Sequence, residues 1–156
     1  MKYLCFEIPG EPCAKGRPRI AVIAGHARAY TPAKTANYEG VVATFALAAK
    51  AESSWDEDAA NGPIRIMVTA TFSRPKRLLE RSKRTNELRH ASEGRMPHTS
   101  RPDLDNVVKA VVDGLNRCGI WRDDSQVCSI EASKWYAATN EDAHVWVEIG
   151  TMGGVK

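Results

Sequence analysis

The residues best suited to chemistry in this chain are aspartates grouped around one apolar segment. Asp103 and Asp105 precede the segment, Asp113 lies within it, and Asp123 and Asp124 follow it. Like charges held close together repel, so a protein that gathers carboxylates at neutral pH needs a cation among them. Carboxylate oxygens are hard ligands, and beside a basic patch they suit Mg²⁺, or Mn²⁺, that also coordinates phosphate. The sequence therefore suggests a divalent-metal site that acts on phosphate.

The segment between the two aspartate pairs has the periodicity of an amphipathic helix. Its apolar residues recur at intervals close to i, i+3, i+4 and i+7 and are Leu104, Val107, Val108, Val111, Val112 and Leu115. Asp105 is a good N-cap, so we expect the helix to begin at Asn106. Lys109 and Asp113 then follow Asp105 at successive turns of the same polar face. The expected arrangement is a cluster of carboxylates with one lysine inside it.

Each of these polar residues also has an ordinary structural interpretation. Asp105 would serve as a simple helix cap, and the Asp123-Asp124 pair would serve as a turn. Lys109 either stabilises charge on a reacting phosphate or forms an ion pair with Asp105 or Asp113. Asp123 is either a support for the site or a turn residue. The metal hypothesis rests on the combination of the acids with Lys109 rather than on any one aspartate.

A resemblance to a known family is carried by residues 101–127, which read RPDLDNVVKAVVDGLNRCGIWRDDSQV. This stretch resembles the signature of the RusA family of Holliday-junction resolvases, which are often encoded by prophages. The shared pattern is basic-x-Asp-aliphatic-Asp-Asn, a lysine four residues after the second Asp, Asp-x-Leu, and aromatic-x-Asp-Asp-x-Gln-Val. The matching residues are Asp103, Asp105, Asn106, Lys109, Asp113, Leu115, Trp121, Asp123, Asp124, Gln126 and Val127. Residues 10–39 resemble the N-terminal part of RusA-like phage proteins more loosely.

The resemblance implies an activity and a set of site residues. Asp103, Asp105 and Asp124 correspond to the family's catalytic acids, and Lys109 corresponds to its lysine. Mg²⁺ held by the three acids would polarise the scissile phosphate and lower the pKa of an attacking water, with Mn²⁺ as the expected substitute. The resemblance also implies a homodimer that resolves four-way DNA junctions. Such a junction is two-fold symmetric, and two symmetric nicks need two active sites.

Two basic stretches are the candidate DNA-binding surfaces. The candidate phosphate contacts are Lys15, Arg17, Arg19, Arg28, Lys76, Arg77, Arg84 and Arg101. The first four lie in a loop rich in glycine and proline and in a predicted hairpin around Gly25, and the others lie in the basic stretch that leads into Asp103. Lysine and arginine would follow the DNA backbone, and Tyr30 is placed to stack on a base. The open alternative for both stretches is a solvated surface, with a short helix over residues 76–88 in the second.

Length and composition fit a single domain over residues 1–156. The formal charge of +3 is mild, so the overall charge does not by itself indicate a nucleic-acid-binding protein. No apolar run is long enough to span a membrane, and the N-terminus lacks the apolar region of a signal peptide, so we expect a cytoplasmic protein. The four cysteines show neither paired spacing nor a disulfide framework, and we expect reduced thiols.

The predicted elements place the aspartates around the second of two helices. Alternating apolar residues predict strands at residues 3–8, 64–72, 127–137 and 143–149, and a 3.6-residue period predicts a helix at 35–51. Residues 52–63 are acidic and rich in turn formers, which indicates a solvated connection. This order predicts an α+β fold, in which a mixed, largely antiparallel sheet carries two helices packed on one face. The RusA resemblance implies the same class.

Two functional classes fit these residues. The first is a metal-dependent, structure-specific endonuclease built on the three aspartates and Lys109. The alternative is a non-catalytic junction- or duplex-DNA-binding module in which the acids are caps and turns, and its DNA binding would survive removal of all three. Pro102-Asp103 also suggests a PD-(D/E)xK nuclease, which needs an acid-x-Lys motif. Residues 131–134 have one residue too many for that motif, so we reject this class.

Overall fold

A computed structural model of the chain describes residues 1–17, 19–23, 25–75, 78 and 94–153. In chain order the elements are β1 (Tyr3–Pro9), β2 (Arg19–Ile23), β3 (His26–Tyr30), α1 (Ala33–Ala51), α2 (Glu57–Asn61), β4 (Ile64–Phe72), β5 (Met96–Pro97), α3 (Leu104–Arg117), a 3-10 turn (Asp124–Gln126), β6 (Val127–Tyr136) and β7 (His144–Thr151). Apart from Leu78, the predicted short helix over residues 76–88 lies outside the described residues, as do the candidate DNA contacts Lys76, Arg77 and Arg84.

The main sheet has five strands in the order β1-β7-β4-β6-β5. β7 pairs antiparallel with both β1 and β4, β5 pairs antiparallel with β6, and β4 and β6 run parallel. β2 and β3 form a separate antiparallel hairpin, as predicted. The predicted class, a mixed and largely antiparallel sheet, is therefore confirmed. β6 and β7 follow one another in sequence but do not pair, because β4 lies between them.

One face of the sheet is buried beneath the helices. Alternate residues of β1, β4 and β7 lie in the core, as period-two strands with one covered face require. The same core contains Val42 and Ala46 of α1 and Val107, Val111 and Leu115 of α3. Each fully buried aliphatic side chain contributes about 1.5–3 kcal/mol. The prediction that two helices pack on one face of the sheet is confirmed.

Helix α3 begins two residues earlier than predicted. Asp103, rather than Asp105, occupies the N-cap position, with an extended backbone (φ −70°, ψ 143°) and no capping hydrogen bond from its side chain. The Val107 amide donates to the Asp103 carbonyl over 3.3 Å, which starts the helical ladder at Leu104. Asp105 therefore lies in the first turn, where the positive end of the helix dipole favours a carboxylate. The prediction that Asp105 caps the helix is wrong.

The connection at residues 52–63 is mostly exposed, as predicted, but it is not simply a solvated loop. It contains α2, whose first turn is capped by the Asp56 side chain accepting from the Ala59 amide over 3.0 Å. Trp55 is buried in the core, and its Nε1 donates to the Ile120 carbonyl over 2.8 Å. Although its neighbours in sequence are acidic, Trp55 attaches this segment to the turn that follows α3.

Two simpler predictions can be compared with the described residues. The four cysteines, Cys5, Cys13, Cys118 and Cys128, are free thiols, as their spacing indicated. Within the described ranges no helix has the length and apolar character needed to cross a membrane.

Candidate active site

A groove of about 660 Å³ between α3 and β6 contains most of the predicted catalytic residues. Its apolar lining consists of Leu104, Val108, Val112, Ile130 and Ala132, and its polar lining consists of Asp105, Lys109, Asp113, Asn116 and Asp124. Asp105, Lys109 and Asp113 share one face of α3 because they are spaced four residues apart. The 3-10 turn brings Asp124 to the same groove. Two of the three predicted acids therefore lie in one concave site together with the predicted lysine.

Asp103 is the N-cap residue of α3 and is not part of the groove lining. The predicted ligands are all carboxylates, the donor type that Mg²⁺ and Mn²⁺ prefer. However, the described part of the chain contains no group of three or more His, Cys, Asp or Glu side chains placed to hold a metal ion. A single chain thus provides the right kind of donor without a complete ligand set. The metal site stays a prediction.

The two neighbouring aspartates of the acidic turn have different surroundings. Asp123 caps the 3-10 turn, since its Oδ1 accepts from the Ser125 amide over 2.9 Å. Hydrogen bonding by the Ser125 side chain, and then by its amide, lowers the pKa of the Asp123 carboxyl. Gln126 completes a capping box by accepting from the Asp123 amide over 2.8 Å. Asp124 is exposed on the groove side, and no hydrogen bond to its side chain is found among the described residues. Of the two roles proposed for Asp123, the geometry supports the turn residue.

The Gln126 side chain also anchors this turn to the rest of the molecule. Its Nε2 donates to the carbonyls of Ala60 and Gly62, over 2.9 Å in both cases. Trp121, just before the turn, is buried and donates from Nε1 to Asn116 Oδ1 over 2.5 Å. The aromatic and glutamine positions of the motif therefore fix the path of the turn that presents Asp124.

Lys109 is exposed and makes no ion pair with Asp105 or Asp113, although both lie four residues away on its own helix. Asp113 is instead held by Lys15, which also donates to Glu39 Oε1 over 3.0 Å. Arg117 Nη1 lies 3.3 Å from the other carboxylate oxygen of Glu39. Among the described residues, the structural alternative for Lys109, an ion pair with either aspartate, is not formed.

Sequence reasoning missed Glu39, which is only 4 % exposed. On helix α1 the polar Thr35 and Glu39 are buried beside the apolar Val42. Thr35 Oγ1 accepts from the Gly16 amide over 3.0 Å, and the Glu39 carboxylate is satisfied by its two cations. Thr35, Glu39 and Val42 are spaced by four and three residues, so they share one face of the helix. This spacing could have indicated that Thr35 and Glu39 are buried with Val42.

The loop that carries Lys15 is fixed between the starts of the two long helices. The Lys15 amide donates to the Asn106 carbonyl of α3 over 2.8 Å, while Gly16 is held by Thr35 of α1. A Cβ atom at Gly16 would lie 3.1 Å from both Pro32 Cγ and Thr35 Oγ1, so glycine allows this close approach. The Lys15 side chain is only 20 % exposed and is engaged by carboxylates. Its predicted contact with DNA remains a prediction, beside an observed structural role.

Three of the other predicted DNA contacts lie on surfaces open to solvent. Arg17, Arg28 and Arg101 are exposed, and every residue of β3 is exposed. Arg28 and Tyr30 are two residues apart on this strand and share a face of the hairpin, as predicted. The side chain of Arg19 lies outside the described residues, so its contact stays a prediction together with the others.

The segment that leads into Asp103 is held by β6. Lys134 Nζ donates to the carbonyls of Ser100 and Pro102, at 2.7 Å each. The Tyr136 hydroxyl donates to Ser100 Oγ over 3.3 Å. Because Pro102 immediately precedes Asp103, the lysine fixes the backbone on which this acid is carried. Sequence reasoning considered Lys134 only as part of a rejected nuclease motif and did not find this role.

The family model described as "Endodeoxyribonuclease RusA" matches residues 9–149 of the chain. The chain belongs to the RusA family. The chain is also 34 % identical, over 137 residues, to "Uncharacterized protein YqaN" of Bacillus subtilis (strain 168). That match covers 88 % of this chain and 90 % of YqaN. The resemblance found in residues 101–127 is therefore confirmed as family membership.

The RusA match extends well beyond the acidic motif. It takes in the loop that carries Lys15, helix α1 with Glu39, the groove between α3 and β6, and most of β7. The groove and the elements that support it thus lie within the part of the chain that is characteristic of an endodeoxyribonuclease family.

Proposed function

We propose that this RusA-family protein is a metal-dependent, structure-specific endonuclease that resolves four-way DNA junctions as a homodimer. The observation that carries the proposal is the placement of Asp105, Lys109 and Asp124 in one groove of a chain matched by an endodeoxyribonuclease family. Carboxylates can hold a metal ion, and a lysine ammonium can stabilise negative charge that develops on a phosphate. Together these groups suit phosphodiester hydrolysis.

The proposed metal ligands are Asp103, Asp105 and Asp124, with Mg²⁺ as the cation and Mn²⁺ as a substitute. Such an ion, when bound, lowers the pKa of a coordinated water and neutralises charge on the scissile phosphate. Asp105 and Asp124 already line the groove, and Asp103 lies immediately before α3, held by the contact of Lys134 with Pro102. The chain's own contribution is to present these oxygens on a helix start and on a turn with a capping box.

Lys109 is proposed to stabilise the reacting phosphate directly. Its ammonium is exposed in the groove and is not engaged by any acid in the described residues. A lysine in this state can donate to a non-bridging phosphate oxygen as negative charge develops there. Arg17, Arg28 and Arg101, together with Arg19, Lys76, Arg77 and Arg84, are the proposed contacts to the DNA backbone.

A non-catalytic junction- or duplex-binding module is the second candidate. The observation that favours it is that the described residues of one chain contain no preformed group of three metal-binding side chains. In that case Asp103 would be only a helix N-cap residue and Asp124 only the start of a 3-10 turn. The two functions differ in one measurable respect, which is whether bound DNA is cleaved.

Labelled four-way, flap and duplex DNA incubated with the protein will distinguish the two. We expect paired symmetric nicks in the four-way junction with Mg²⁺ or Mn²⁺, and no cleavage when EDTA replaces the metal. Sedimentation equilibrium should give twice the chain mass of 17.2 kDa, since two nicks need two active sites. Tight junction binding without cleavage in either metal would contradict the enzyme and support the binding module.

Lys134→Met is expected to reduce junction cleavage by roughly 10- to 100-fold, the usual effect of losing a group that orients a ligand. The variant removes both hydrogen bonds that fix the Ser100 and Pro102 carbonyls ahead of Asp103. Single-turnover cleavage and thermal unfolding, measured together, separate positioning from folding. The matched control is Glu131→Gln, an exposed position on the same strand with no such contact. Equal rates for Lys134→Met and the control would show that this anchor is dispensable.

A further inference from the structure

Lys109 lies between two acids that should attract it. Asp105 is four residues before it and Asp113 four residues after it on α3, a spacing at which acid–lysine pairs stabilise a helix weakly. Nevertheless, across the ranges that the structure describes, Lys109 forms no ion pair. The acid on its C-terminal side, Asp113, is occupied by Lys15, which comes from a loop 98 residues away in sequence. The folded chain therefore pairs Asp113 with Lys15, whereas helical spacing alone would pair it with Lys109.

The contact between Lys15 and Asp113 is built to persist. The Lys15 backbone is tied to Asn106 and its ammonium contacts the buried carboxylate of Glu39. The Lys15 and Asp113 side chains are 20 % and 27 % exposed, so solvent screens this pair less than it screens a fully exposed pair. Hydrogen bonding to Asp113, followed by that to Glu39, outweighs burial and raises the pKa of Lys15. Lys15 therefore stays charged and Asp113 stays engaged.

We propose that Lys15 is a positioning residue of the nuclease site, which occupies Asp113 so that the Lys109 ammonium remains available to phosphate in the groove. The inference rests on the proposed function in one respect, which is that Lys109 acts on DNA. Without Lys15, the Asp113 carboxylate would be left facing the groove one helical turn from Lys109. It would then attract the Lys109 ammonium and repel an approaching phosphate.

Three variants test this arrangement: Lys15→Met, Asp113→Asn and the double variant. Methionine keeps the apolar stem of Lys15 without its charge, and asparagine keeps the shape of Asp113 without a carboxylate. The first measurement is the rate at which an amine-acylating reagent modifies Lys109, followed by mass spectrometry, with exposed Lys34 as the internal reference. We expect slower modification of Lys109 in Lys15→Met, because ion pairing protects the amine, and wild-type modification in the double variant.

The second measurement is single-turnover cleavage of a four-way junction. We expect Lys15→Met to lower the cleavage rate constant by roughly 2-fold, because a helical acid–lysine pair is weak and diverts the group that stabilises phosphate charge for only part of the time. Junction affinity should stay at the wild-type value. Asp113→Asn in the same chain should restore most of the rate, since no carboxylate then competes for Lys109. Lys15→Arg, which keeps the charge, should retain the wild-type modification of Lys109.

Unchanged acylation of Lys109 in Lys15→Met would overturn the proposal. So would a loss of cleavage that Asp113→Asn fails to rescue and that follows weakened junction binding, since Lys15 would then contact DNA itself. Lys15→Met removes one of the two cations of the buried Glu39 carboxylate. If this loss destabilises the protein, the same variants are compared in a Glu39→Gln background. A wild-type protein that cleaves no DNA would contradict the proposed function, whereas the acylation result would still decide the role of Lys15.

Discussion

Replacing Asp103, Asp105 or Asp124 by asparagine is expected to abolish Mg²⁺-dependent junction cleavage and to leave junction binding intact or stronger. Asparagine preserves the shape of the side chain but removes the anionic oxygen that a hard cation requires. Loss of a group that only hydrogen-bonds to a metal ligand typically lowers activity by about 10- to 100-fold. Loss of the ligand itself should therefore lower the cleavage rate by at least about 100-fold. Binding should not weaken, because a charge that repels phosphate has gone. Single-turnover cleavage and fluorescence anisotropy on one labelled four-way junction measure the two effects.

The neighbouring residue provides a matched control. Asp123→Asn changes the same chemical group one position away, where the side chain caps a turn and asparagine is also a good cap. Its effect on cleavage should therefore be much smaller than that of Asp124→Asn. Substantial cleavage by any of the three aspartate variants would remove that residue from the catalytic set. Equal losses at both turn aspartates would mean that Asp123 also serves the site.

Gly114→Val is expected to lower the free energy of unfolding by about 3 kcal/mol, the upper range for overpacking a core. A Cβ atom at this position would lie 2.7 Å from Val42 Cβ and 2.9 Å from the Glu39 carbonyl oxygen. Neither atom is the flexible end of a side chain, so α1 and α3 must move apart. For a chain of this size the loss corresponds to a decrease in Tm of roughly 6–12 °C. Thermal unfolding monitored by circular dichroism will measure this decrease.

Alanine at two helical glycines gives the control for this prediction. At Gly40 of α1 an added Cβ meets nothing within 4 Å, so Gly40→Ala should stabilise by about 0.5–1 kcal/mol through helix propensity. At Gly114 the same gain is opposed by the clash, and Gly114→Ala should destabilise. If both alanine variants stabilised the protein equally, the close approach of α1 and α3 would be refuted.

Residues 64–72 and 104–115 show what local sequence is able to specify. The alternation of apolar residues in β4 fixed which side chains are buried, and the 3.6-residue period of α3 fixed which of its faces enters the core. The same spacing placed Asp105, Lys109 and Asp113 on one face before their neighbours were known. Boundaries were less certain, because a good cap at Asp105 and an earlier start at Leu104 have similar local propensities.

The order of the strands required information that no local pattern contains. Alternation identified β4, β6 and β7 as strands, but it did not indicate that β4 would lie between the other two and run parallel to β6. Trp55 is a similar case, since its acidic neighbours indicated solvent while its ring is buried beneath the turn after α3. Which distant surface a segment covers depends on the packing of the whole chain.

By itself, the amino-acid sequence determined the family, the α+β class and the acids and lysine of the candidate site. Only the tertiary structure decided the partners of those residues. Lys109 has two acids at helical spacing, yet Asp113 is held by Lys15 and the buried Glu39 is shared between Lys15 and Arg117. The physical reason is that a helix offers a lysine only a weak, solvent-screened pair, whereas a loop fixed by backbone hydrogen bonds brings a partly buried cation to the same carboxylate.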